Sequence, residues 1–157
     1  MSAVQTHIYN PNSTHIHEGA LITWLQAKDL SDLQTVPGIG PVAKDAIING
    51  TKDKHYPITS GYGLLGYFLI KKKPAETVVQ HVNRFYSFLV TNCGITTGNA
   101  QTITRAIAEK ANLMMEGLYT INAFAGMENM TEVQKKEAAF FPGQVLDTPG
   151  KATKGGK

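Results

Sequence analysis

The residues best suited to holding an anion lie between Leu33 and Ile47. Gly38 and Gly40 flank Ile39, so the backbone can turn sharply there and come close to a partner. The spacing predicts a helix starting at that turn. Its first N–H groups, through Val42, Ala43 and Lys44, lack carbonyls a turn earlier and point outward beside a lysine. Such a helix start attracts anions, and for a hairpin of this shape the expected anion is a nucleic-acid phosphate. The competing reading is a plain turn between two core helices.

Other reactive residues make weaker patterns. His15 and His17, with His7 nearby, could touch a metal, but residues two apart on a helix face different sides, so they read as surface histidines and no metal or cofactor is expected. Cys93 is the one cysteine, which excludes an intrachain disulfide and a cysteine-based zinc site; it reads as a buried structural thiol in a reducing compartment. Asp53 is the only Asp or Glu between Ile47 and Glu76, in a polar loop with Lys52, Lys54 and His55, so the acidic residue of a base-excision glycosylase is not evident. No phosphate loop, triad or paired carboxylates are present, and no enzymatic activity is expected.

Composition leaves room for a binding protein. The chain has 157 residues, 42% of them hydrophobic, enough for one domain with a core. Fifteen Lys and Arg against twelve Asp and Glu give a formal charge of +3, which fits a solvated surface as well as a weakly basic nucleic-acid binder. The polar start predicts no signal peptide, and no apolar stretch approaches the ~20 residues of a membrane span. Three Asn-x-Thr/Ser matches, at Asn12, Asn49 and Asn129, are read as chance.

Apolar periodicity predicts the elements that would position the hairpin. Residues 1–13 read as a flexible lead, residues 14–125 as a helical domain and residues 126–157 as a C-terminal extension with tail composition. Within the domain, helices are expected over Thr14–Lys28, from a Ser31/Gln34 capping box, and from the hairpin to Ile48, where Asn49-Gly50 stops it. Another starts near Thr59 or Ser60 and carries Gly61, Gly63 and Gly66, which suggest close backbone approach. Lys71-Lys72-Lys73 end it, offsetting its dipole, and Pro74 opens the next. Val78, Val82, Phe85, Tyr86 and Leu89 form that helix's buried face, and Cys93-Gly94 closes it. Asn99 is expected to cap a last long helix, with Ile103, Ile107, Ala111, Met114 and Leu118 along its stripe, running to about Ala125. Thr131–Phe141 suggests a further short helix. No strand pattern emerges, so the fold class is all-α, a compact bundle of about five to six helices.

Leu33, Val36, Pro37, Gly38, Ile39, Gly40, Pro41, Ala43 and Ile47 resemble the pattern of helix-hairpin-helix modules. From Leu33 to about Met115 the order of features resembles the barrier-to-autointegration factor family of small, dimeric DNA-binding proteins. Tyr62-Gly63-Leu64-Leu65-Gly66-Tyr67-Phe68-Leu69-Ile70-Lys71-Lys72 matches that family's Leu-Gly-x-Phe-Leu-x-x-Lys-Lys run. Thr91-Asn92-Cys93-Gly94 and Asn99-Ala100-Gln101 match its Thr-Cys-Gly turn and Asn-Ala-Lys helix start. The chain departs from the family in its greater length, its longer Ile95–Gly98 turn, Gln101 in place of lysine, and Lys44 where a small residue is usual.

The resemblance implies sequence-independent binding to double-stranded DNA, with a homodimer bridging or compacting duplexes in the nucleus or nucleo-cytoplasm as a chromatin component. It implies contacts from Val36, Gly38, Ile39, Gly40, Val42, Ala43 and Lys44 on one side and Gly98, Asn99, Ala100, Gln101 and Arg105 on the other. Lys52 and Lys54 would add charge. Leu65, Gly66, Phe68 and Ile70 would form a dimer interface and a groove for a protein partner. The alternative is a protein-interaction module on the same fold with weak or no DNA binding, favoured by the low charge and the loss of lysine at position 101.

Overall fold

The helix predicted after Cys93-Gly94 is the one on which the others pack. In a computed structural model, which describes residues 8–14 and 16–127, this helix spans Thr97–Met114 and is designated α5. Ala100, Ile103, Ala106, Ile107, Ala108 and Ala111 are buried along it, and its alanines let neighbours come close. Around it stand α1 (Glu18–Gln26), α2 (Pro41–Thr51), α3 (Gly61–Ile70) and α4 (Val78–Ser87). α4 continues into a π-helical turn, Phe88–Asn92, and single 3-10 turns occur at Pro11–Ser13, Leu33–Thr35 and Ile121–Phe124. There is no strand among the described residues, and the chain is an all-α bundle.

Several element boundaries follow the expected chemistry. Ser60 caps α3 by accepting from the Gly63 N–H. The predicted face of α4 is buried at Val82, Phe85, Tyr86 and Leu89, and Gly94 ends the segment at φ +73°.

Other boundaries differ for identifiable reasons. Asp32, rather than Ser31, caps the Leu33–Thr35 turn by accepting from Gln34 N, because Ser31 is bonded back to Asp29. The expected first helix of the hairpin is thus a single 3-10 turn. α2 runs through Asn49-Gly50 to Thr51. The Thr51 hydroxyl donates to the Ile47 carbonyl at 2.8 Å and accepts from Ile58 N at 2.9 Å, which carries the helix one turn further and fastens the loop to it. Pro74 lies outside the helices; α4 instead opens on a reciprocal capping box between Thr77 and Gln80. α5 begins at Thr97 with Thr96 as its cap, which puts Asn99 inside the first turn. It ends at Met114 rather than near Ala125. Asn112 Oδ1 accepts from both Gly117 N and Tyr119 N, turning the chain back so that Leu118, Tyr119 and Phe124 are buried and Met114 is left exposed.

The segment expected as a lead belongs to the domain from Ile8 onward. Tyr9 is 1% exposed, its N–H donates to Asn83 Oδ1 at 2.8 Å, and its hydroxyl lies 3.0 Å from that of Tyr119. Its ring packs edge-on against Phe124, with centroids 5.1 Å apart. The beginning and end of the described chain thereby close over α4 and α5. Lys110 secures α1. Its ammonium donates to the carbonyls of Trp24, Leu25 and Ala27 and sits over the Trp24 ring, so one cation satisfies the carbonyl end of the helix. Trp24 Nε1 in turn donates to Ala106 O at 2.8 Å. The helix suggested over Thr131–Phe141 and the extension beyond position 127 lie outside the described residues, as do His7 and His15.

Candidate nucleic-acid interface

Gly38 adopts φ +91°, a conformation costly for other residues, and it sits directly on α5. A Cβ at this position would lie 3.0 Å from Ile103 Cγ1 and 3.2 Å from Thr102 Cβ, so a side chain here would require those neighbours to give by a few tenths of an ångström. Val36, Ile39 and Ala43 are buried and pin the turn from within. Their side chains cannot meet a ligand; what they present is backbone. Val42 is the opposite case, 83% exposed at the tip. Ile39 N donates to Val36 O and Lys44 N to Gly40 O, so those two amides are occupied. Val42 and Ala43, in the first turn of α2, have no carbonyl one turn earlier, no side chain caps them, and Pro41 has no N–H to offer.

The second predicted half lies beside the first. Pro37 and Gly38 share one open depression of ≈ 420 Å³ with Thr96, Gly98, Asn99 and Thr102. The amides of Thr97, Gly98 and Asn99 are the unbonded start of α5, whose cap Thr96 makes no side-chain bond to them; Ala100 N is bonded to Thr96 O. Ile16, His17 and Ala20 complete the wall, bringing in a third helix start that the motif did not indicate. The helix was expected from about Thr14; it starts at Glu18, with His17 as its cap position and that acidic residue in its first turn.

The side chains expected to supply charge are largely committed elsewhere. Gln101 is 8% exposed and turned into the fold, where Oε1 accepts from Asn10 N at 2.9 Å and Nε2 donates to the Tyr86 hydroxyl at 3.3 Å. It is a structural residue that ties the N-terminal segment to α4 and α5. Ala100 is fully buried. Arg105 pairs with Glu109 at 3.0 Å and reaches Thr14 Oγ1 at 3.4 Å. Lys44 lies 3.4 Å from Asp32. Asp32 is held below the usual carboxylate range, first by the Gln34 amide and then by Lys44. Lys52 and Lys54 follow the far end of α2, about 16 Å along the axis from its start, and do not join the hairpin.

The surface expected for dimerisation is mostly interior. Leu65 and Phe68 are buried in the chain's own core. Gly66 lies under the Tyr56 hydroxyl of the same chain, which a Cβ there would approach to 2.7 Å. Ile70 alone of the four is exposed, at 64%. Cys93 is buried, and burial pushes its thiol up to about 12, far from nucleophilic at neutral pH. Among the described residues no group of three or more His, Cys, Asp or Glu could hold a metal ion, and no helix is long and apolar enough to cross a membrane.

No protein-family model matches the chain, nor does any curated protein or solved structure.

Proposed function

We propose that this chain binds double-stranded DNA without sequence preference and without catalysing a reaction. The observation that carries this reading is the seating of Gly38 on Thr102 and Ile103, which sets the hairpin beside the start of α5. The open amides at both places would accept phosphate oxygens of one duplex strand. Contacts of this kind fix position and carry no base information. With Arg105 and Lys44 in ion pairs and Gln101 facing inward, backbone amides rather than lysines would supply most of the grip. Each phosphate neutralised by a lysine or arginine adds about −0.9 to the salt slope, so a grip made mostly of neutral amides would give a slope shallower than about −3. The test is an anisotropy titration of several unrelated duplexes against salt concentration. Similar affinities across sequences with a shallow negative slope support the reading, and no duplex binding at low salt sinks it.

Bridging of two duplexes is the second half of the proposal and requires two copies of the chain. Light scattering reports the mass; a monomer that stays monomeric on DNA excludes bridging.

A protein-interaction role is favoured by one feature, the exposed apolar side chains Leu113, Met114, Met115 and Ile121 around the end of α5. Capture of a partner that survives nuclease treatment, together with no duplex binding, would establish that role instead.

A further inference from the structure

A second cleft, of ≈ 410 Å³, opens between the C-terminal end of α2, the loop after it, α3 and α4, apart from the hairpin. One wall is a stack of three rings. Tyr67 lies nearly parallel to Tyr56, with an interplanar angle of 13°, and its centroid is 4.3 Å from that of Phe88. All three rings are half-buried, so each retains exposed surface.

The rim is cationic. Lys54, His55, Lys71 and Arg84 line the cleft, and no carboxylate does. Arg84 is immobilised by Glu76, with its Nε 2.7 Å from Oε2, and by the Lys71 carbonyl. Burial raises the Glu76 carboxyl's pKa, but the Arg84 bonds, the Lys73 amide and the charges nearby together hold it below its ordinary value. Lys54 and Lys71 form no ion pair among the described residues; the Lys71 ammonium rests 5.4 Å from the Tyr67 ring centre.

His81 also lines the cleft and is 1% exposed. Its Nε2 lies 2.8 Å from the Phe68 carbonyl, which can only accept, so the proton of a neutral ring is on Nε2. That leaves Nδ1 a buried acceptor without a partner.

From these three features we infer that the cleft binds a nucleotide, its base against the rings and its phosphate at Lys54 and Lys71. A planar group gains from stacking, and a phosphate gains from two lysines that have no carboxylate partner; an apolar ligand would use only the first and inorganic phosphate only the second. The cavity is within the size range of small-molecule sites. Free nucleotide and one nucleotide of a single strand share this chemistry.

The experiment titrates the full chain with AMP, UMP, inorganic phosphate and a short oligothymidylate, read by amide and aromatic NMR shifts. Shifts centred on Tyr56, Tyr67 and Lys71 with AMP or UMP identify a free-nucleotide site. The same shifts with the oligonucleotide alone identify a single-strand site, and either result supports the inference. Lys71→Glu, on an exposed side chain, should weaken binding about tenfold or more with the fold intact, and Tyr56→Leu, which removes the outer ring of the stack, should do so through lost stacking. No saturable shifts at millimolar nucleotide, phosphate binding as well as AMP, or indifference to Lys71→Glu each overturns it. Val42→Glu should leave nucleotide binding unchanged, which separates failure of this site from failure of the duplex site.

Discussion

Gly38 sits so close over Ile103 that a Cβ there would lie 3.0 Å from Ile103 Cγ1, a tighter approach than most such contacts. That contact joins the hairpin to the first turns of α5 and makes one surface of two helix starts.

Gly38→Ala should therefore lower stability. The left-handed φ and the clash with Ile103 and Thr102 together should cost about 1–3 kcal/mol. Chemical denaturation should show a lower midpoint with an unchanged m-value. A variant as stable as the wild type would mean that the turn relaxes freely.

Gln101→Lys would restore the lysine that the resembling family carries, yet it should not strengthen DNA binding. It removes the acceptor for Asn10 N and the donor to Tyr86 and forces a charge toward the interior. A loss of about 1–3 kcal/mol is expected. Increased duplex affinity with unchanged melting would contradict the inward placement.

Lys110→Met keeps the length of the side chain and removes its three donors. The carbonyls of Trp24, Leu25 and Ala27 lose their cap, so α1 should loosen, with a destabilisation of about 1–3 kcal/mol. Hydrogen exchange should rise first in α1. Uniform protection equal to that of the wild type would show the cap to be dispensable.

His81 makes stability depend on pH. Burial pushes its pKa below the ordinary value; the Phe68 carbonyl and Glu76 pull it up, and Arg84 and Lys72 push it down again. As pH falls, the unfolded chain binds this proton first. The contribution is whole above about pH 6.5 and is lost as pH falls through the folded value. His81→Gln should flatten the melting temperature's dependence on pH below about 6.5. Loss that begins only below about 4.5 in the wild type would assign the effect to carboxylates such as Glu76 instead.

The fold was readable where a pattern was local. The face of α4 repeats every three or four residues, and Ser60 precedes an uninterrupted apolar run, so both were evident. What escaped depends on partners distant in sequence. Gln101 is a polar residue that reads as exposed until Asn10, 91 positions away, supplies its donor. The same holds for Tyr9 with Asn83 and for Lys110 with the end of α1. Asn99 was the strongest capping residue type near the start of α5, but Ile95 is buried and the helix entry falls three residues earlier, at Thr96. The two halves of the candidate interface were both visible as motifs; that charge would be withdrawn from them by Asp32 and Glu109 was not.

Val42 gives the most direct test of the central claim, because its side chain is exposed at the hairpin tip and substitution leaves the core untouched. Duplex affinity should be measured by anisotropy at several salt concentrations for the wild type and Val42→Glu, with melting temperatures recorded alongside. Placing a carboxylate among the open amides of α2 should weaken binding at least about tenfold at low salt and lessen the salt slope by about 1, with melting unchanged. Equal affinity and equal slope for the two proteins would contradict the hairpin as the DNA-binding surface.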